Sequence, residues 1–184
     1  MSKVTTAALG LLTGFGFASG ASAQQVEIYC DCGAGLGPCG NGVDSNVPGG
    51  CLNSLGGKAF FFYNGGSLSI GADDLILGAG NLPNFQFGLV YMGPNQTQVP
   101  FGDGLRCVAG GNIGLFRFPV QDIANTGQLV LGPGIVAHSH ANFAPTGHIQ
   151  AGQTWNFQGW YRDPGGPCGS GFNLTNGLQV TFTP

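Results

Sequence analysis

Charge is nearly missing from this chain. Lysine and arginine number 5 and aspartate and glutamate 8 in 184 residues, for a net charge of −3. The basic residues are scattered, so there is no patch for a phosphate backbone and no polybasic stretch for an anionic lipid surface. Nucleic-acid and acidic-membrane binding are therefore set aside. Glutamate occurs once, at Glu27, and Asp73 and Asp74 are adjacent, so they diverge on a strand. Among Asp103, Asp122 and Asp163 nothing singles out a glycosidase pair. No G-x-S-x-G is present, and Ser139 cannot share the face of the histidines beside it on an extended chain. Two further absences concern architecture. No apolar stripe at i, i+3, i+4, i+7 persists beyond the N-terminal segment, and no internal repeat suggests a propeller or solenoid.

What is present begins with an export signature. Residues 1–23 read as a secretory signal peptide: Lys3 supplies the positive charge, Ala7–Phe17 is mostly apolar or small, and Ala21-Ser22-Ala23 gives a small-residue cleavage pattern. The apolar run is short and broken by glycine, unlike a membrane span. No second hydrophobic segment follows, so a product without a transmembrane segment after cleavage is expected, secreted or at the cell surface, with the periplasm as the nearest alternative. Six cysteines agree with an oxidising destination.

Glycine reaches 36 residues and phenylalanine 14. Each glycine inside a helix costs up to about 1 kcal/mol, whereas phenylalanine, valine, isoleucine and tyrosine favour strands. From Lys58 onward, short apolar runs alternate with turns: Ala59–Tyr63, Ser67–Ala72, Leu75–Leu77, Phe85–Met92, Leu105–Ala109, Ile113–Val120, Gln128–Leu131 and Ile135–His140. Thr154–Pro184 reads as a closing pair of strands. On the first, Trp155, Phe157 and Tyr161 fall on one face and Asn156, Gln158, Trp160 and Arg162 on the other, predicting one buried and one mostly wet face. Asp163-Pro164-Gly165-Gly166-Pro167 ends that strand, and Leu178, Val180 and Phe182 resume the alternation. The expectation is an all-β fold, an antiparallel β-sandwich of jelly-roll or Ig-like type over residues 58–184. A Cys/Gly-rich, disulfide-fastened loop segment over residues 24–57 precedes it.

That segment carries Cys30, Cys32, Cys39 and Cys51. Cys30 and Cys32 point to opposite sides of an extended chain, so they serve different bridges. The four allow three pairings, which stay open, and their spacing fits no common zinc pattern. Parity then pairs the remaining two, Cys107 with Cys168.

The runs PFGDGLRCVAGG (Pro100–Gly111) and TWNFQGWYRDPGGPCGSGFNLTNGLQVTF (Thr154–Phe182) carry a resemblance, as do Cys39-Gly40-Asn41 and Gly50-Cys51. On these motifs the chain resembles a family of secreted, Gly-rich, Cys-containing β-domains of environmental bacteria. The resemblance covers the second half well and the first loosely. It implies the fold and export, and it carries over no activity. Cys30-Asp31-Cys32 departs from the pattern.

Three sets of residues invite chemistry. His138, His140 and His148 lie within eleven positions, and His-x-His on a strand would present both imidazoles on one face. Three imidazoles with an open fourth position form a catalytic zinc arrangement and would make the protein a metal-dependent hydrolase or lyase. No aspartate lies between Asp122 and Asp163 to orient them. Asn41, Asp44 and Asn46 in a glycine-rich loop have oxygen ligands suited to calcium. Trp160 and Tyr161, with Tyr63 and Tyr91, offer flat faces to sugar rings, as in a carbohydrate-binding module. The leading expectation is a non-catalytic binding or structural protein of the cell exterior, working in adhesion, envelope attachment or self-assembly without a cofactor. Its expected partners are further copies of itself or an extracellular polysaccharide.

Overall fold

The computed structural model describes residues 25–184, so the expected signal peptide lies outside the described residues. Eleven strands follow in order: β1 Val26–Tyr29, β2 Phe60–Gly65, β3 Ile76–Gly80, β4 Phe87–Gly93, β5 Asn95–Phe101, β6 Gly104–Ala109, β7 Phe116–Arg117, β8 Gln121–Asp122, β9 Leu129–Leu131, β10 Thr154–Arg162 and β11 Phe172–Thr181. One short helix, α1 (Ile135–Asn142), and a 3₁₀ turn at Pro145–Gly147 interrupt them. The fold is all-β and every strand pairing is antiparallel. A main sheet runs β1-β11-β10-β4-β7, with β8 also on β4; a second runs β2-β3-β9, and β5 and β6 form a separate hairpin.

The period of two on β10 decides how these layers meet. Trp155, Phe157 and Tyr161 point to one side and are buried with Val90 and Met92 of β4 and Leu178 and Val180 of β11. Across from them stand Phe61 of β2, Leu77 and Ala79 of β3 and Leu129 and Leu131 of β9, so the two sheets share one core. Each large apolar side chain buried there contributes about 1.5–3 kcal/mol. The other side of β10 was expected to be mostly wet and is not: Asn156 and Gln158 are 2% and 0% exposed. The β5–β6 hairpin and the cysteine segment cover that face. Polar character alone predicted water there, but these amides are satisfied by backbone groups and by the Tyr91 and Gln179 side chains.

Glycine, the most abundant residue, faces aromatic side chains across strands. Tyr29 pairs with Gly177, Phe62 with Gly78 and Phe60 with Gly80. In each case the ring lies over its partner, where an added Cβ would meet ring carbons at 2.4, 2.8 and 2.8 Å. Each glycine gives an aromatic ring on an edge strand a flat floor.

Several local expectations are corrected. Ile135–His140 is not a strand; it lies within α1. Gly134, at φ 90°, turns the chain into the helix without a capping side chain. The cap comes instead from Asp73, whose carboxylate accepts the Val136 and Ala137 N–H groups at 2.8 Å each. A long-range cap of this kind leaves no local pattern in the sequence. Ser67–Ala72 is a turn with one isolated bridge, Ser69 to Thr183, and only Phe116–Arg117 of Ile113–Val120 is strand. Three unexpected strands appear, one of them the two-residue β8 just past the run Ile113–Val120. β5 is polar and mostly exposed, so it lacks alternation, and β1 lies inside the cysteine segment, pairing with β11.

The bridges also differ from parity. Cys30 joins Cys107, Cys32 joins Cys51, and Cys39 joins Cys168. Cys107 does not pair with Cys168. The N-terminal segment is not self-contained: it lies against β6 and the loop after β10, and two of its four cysteines reach out to them. Three disulfides fit an oxidising compartment. Among the described residues, no helix is long and apolar enough to cross a membrane.

Candidate ligand-binding cleft

Strand register gathers a second set of side chains on the hairpin side of the main sheet. Trp160 stands opposite Leu89, Gln158 opposite Tyr91, and Tyr91 opposite Arg117. Directly opposed residues share a face. The β5–β6 hairpin covers part of that face and stops short of β7. Between them lies a cleft of about 300 Å³, lined by Leu89, Tyr91, Phe101, Arg106, Leu115, Arg117 and Trp160. That size sits at the lower end of small-molecule sites.

Its walls are fixed from behind. Phe172 lies 5.7 Å from the Trp160 ring and 5.1 Å from Phe101, centroid to centroid, so one buttress holds two aromatic walls. Beneath the cleft, Gln158 is bound on every side. Its Nε2 amide donates to Leu105 O at 2.8 Å and Thr175 O at 2.7 Å, while Oε1 accepts the Cys107 N–H at 2.8 Å and the Tyr91 hydroxyl. Burial pushes the Tyr91 phenol well above its ordinary value, Tyr29 adds to this, and Arg106 and Arg117 pull the other way.

Charge at the cleft is one-sided. Arg106 and Arg117, two of the five basic residues in the chain, both line it. No carboxylate does. Among the described residues the one ion pair is Lys58 to Asp31, at 2.7 Å, elsewhere in the fold. The Arg106 Nε is buried without a hydrogen-bond partner.

Of the two aromatics expected to meet a ligand, only Trp160 is at the surface. Tyr161 is fully buried on the core side, its hydroxyl 3.5 Å from Asn53 Nδ2. Neighbours on a strand face opposite ways, so one of the two had to be core. Phe101, Arg106, Leu115 and Arg117 were not singled out in the sequence. Arg106 and Arg117 stand eleven positions apart on different strands, and only the register of β7 on β4 unites them.

The histidines do not form one site. On a helix, residues two apart face different directions, and His138 and His140 open onto separate hollows. His138 packs on Phe118 and Phe143, 5.2 and 5.4 Å away, and its Nδ1 meets the Asn142 amide at 3.3 Å. His140 and His148 stack with centroids 4.5 Å apart, and their Nε2 atoms meet Ile149 O and Phe143 O. No group of three or more His, Cys, Asp or Glu among the described residues is placed to hold a metal ion.

The oxygen ligands named for calcium are also dispersed. Asp44 accepts the Ala34 N–H at 2.9 Å, Asn41 is buried and donates to Asp103 O and Leu52 O, and Asn46 is exposed. Asp103 and Asp163 do come together, on either side of Gly166, yet both are fully buried and open to no cleft. Asp103 holds the 168–170 loop through the Cys168 and Ser170 N–H groups. Asp122 is exposed and accepts the Ala124 N–H.

Comparison with protein-family models, curated proteins and solved structures finds no match.

Proposed function

We propose that this protein is an exported, non-catalytic binding protein whose ligand seat is the aromatic cleft beside the β5–β6 hairpin, and that the ligand is an extracellular carbohydrate. One observation carries this reading. Trp160 is held at the surface by Phe172, beside an apolar floor with polar groups at its edge, the arrangement by which flat sugar faces are taken up. The disulfides and the N-terminal sequence support a location outside the cytoplasm.

The chain has two tryptophans, and Trp155 is buried in the core, so Trp160 is the fluorescent reporter of the cleft. Titration with soluble polysaccharides is expected to change its emission, and Trp160→Ala to abolish retention on the polysaccharide that binds. Retention unaltered in Trp160→Ala removes the cleft as the seat.

A second reading, self-assembly, has an observation of its own. Phe85, Phe87, Val120 and Val130 are exposed near the end of the main sheet where β8 meets β4. Apolar side chains left in water there favour contact between copies, and the low net charge opposes it little. Light scattering over a concentration series tests it: a monomer at all concentrations ends this second reading.

A further inference from the structure

From the two guanidinium groups at the cleft we infer that its ligand is an anionic polysaccharide, one whose sugar units carry carboxylate or sulfate groups; this rests on the proposed carbohydrate seat and narrows it. In a chain with almost no charge, a neutral ligand gives no reason for two cations on one small cleft. Arg106 and Arg117 reach it from different strands, one on β6 and the other on β7. Arg117 stands directly opposite Tyr91 in the strand register, and Arg106 lines the same cleft. No carboxylate lines the cleft to neutralise them. The Arg106 Nε is shut away from water with nothing to donate to, and a buried donor left so is costly until an acceptor arrives. A planar guanidinium donates two parallel hydrogen bonds to a carboxylate or sulfate, and unlike an ammonium it can also lie flat on an aromatic ring.

The shape favours a polymer over a small aromatic acid. Phe101 and Arg117 on the rim are exposed, so the cleft opens sideways and a chain can run out past the rim. Trp160 would take a sugar face while the acidic substituent of the same or the next unit meets the arginines. With −3 overall, the protein as a whole does not attract polyanions, so two arginines with no carboxylate beside them set this cleft apart from the net charge of the molecule.

The test is isothermal titration of the full chain, with Trp160 emission followed in parallel, against polygalacturonate, its fully methyl-esterified form, dextran sulfate, uncharged dextran and poly(dT). Polygalacturonate or dextran sulfate is expected to bind, and the esterified and uncharged polymers to bind about tenfold more weakly or not at all. Which acidic polymer is preferred assigns the substituent as carboxylate or sulfate; either supports the inference. Arg117→Gln is expected to weaken binding about tenfold, and raised salt to weaken it further. Arg117 is exposed, so this variant keeps the fold even if Arg106→Gln does not, and the melting temperature checks both. Equal binding of neutral and acidic polymers, or no effect of Arg117→Gln, overturns the anionic inference and leaves the carbohydrate seat standing. Poly(dT) binding with the same arginine dependence and no polysaccharide bound overturns both. No response of Trp160 to any polymer overturns the seat itself.

Discussion

Tyr91 donates its hydroxyl hydrogen to Oε1 of Gln158, the same oxygen that takes the Cys107 N–H. Through this one amide, β10 is tied to β4, β6 and β11 beneath the cleft. Gln158→Leu fits the space and strands all four partners at once. Leaving a buried polar group unpaired costs about 1–3 kcal/mol, so a loss of about 3 kcal/mol or more is expected. At that size the melting temperature falls by on the order of 10 °C. Urea unfolding measures it; a loss within about 0.5 kcal/mol, the range of an ordinary surface change, contradicts the network.

The phenols of Tyr29, Tyr91 and Tyr161 are each raised well above the ordinary tyrosine value, with burial the largest cause. A group whose folded value is raised stabilises the fold fully below its unfolded value, about 10, and loses that contribution as pH rises through the interval above it. Stability is therefore expected to decline above about pH 10, as the unfolded chain gives up phenolic protons that the folded chain keeps. Phenolate absorbance should appear together with loss of the near-ultraviolet dichroism. Ionisation of all tyrosines near pH 10 with the fold intact contradicts their burial.

A non-reduced peptide map is expected to contain Cys30 linked to Cys107, Cys32 to Cys51 and Cys39 to Cys168. The third spans 129 residues, and the chain-entropy account assigns such a closure about 5 kcal/mol. Replacing Cys39 and Cys168 together by serine should lower stability by an amount of that order, read by urea unfolding. A peptide joining Cys107 to Cys168 refutes the arrangement.

Gly177→Ala places a methyl group where the Tyr29 ring rests, 2.4 Å from a ring carbon. The ring must leave, and with it goes the bond from its hydroxyl to Cys107 O. Destabilisation of about 1–3 kcal/mol is expected, as for an overpacked site. The double variant Tyr29→Ala/Gly177→Ala should cost less than the sum of the two single changes. Strict additivity argues against the contact.

Asp73→Ala removes both carboxylate acceptors from the start of α1. Loss of a helix cap costs about 1 kcal/mol, and faster amide exchange at Val136 and Ala137 should accompany it. Unchanged exchange at those two amides places the cap elsewhere.

How much of this was legible varies with the range of the interaction that decides it. The core face of β10 was readable because Trp155, Phe157 and Tyr161 alternate within one strand, and a buried sheet face imposes that period locally. Gln158 was misread as wet because its cover, the β5–β6 hairpin, comes from fifty residues away and β5 carries no apolar alternation. Helix α1 was misread for a similar reason, since Asp73 caps it across 63 residues. Trp160 was visible as an out-of-phase aromatic. The arginines beside it were not, since scattered charge in sequence becomes clustered charge only once β7 is laid on β4. Parity failed for the cysteines because it treats a segment that runs across the sheet as though it closed on itself.

β11 runs between β1 and β10, so the strand made last is the one that joins the first to the rest. Until Thr181 has emerged, β1 has no neighbour to zip onto. Cys39 likewise waits for Cys168. The main sheet therefore takes in β1, and the Cys39–Cys168 bridge closes, only after the loop following β10 and then β11 have been made, whereas the Cys30–Cys107 and Cys32–Cys51 bridges need neither.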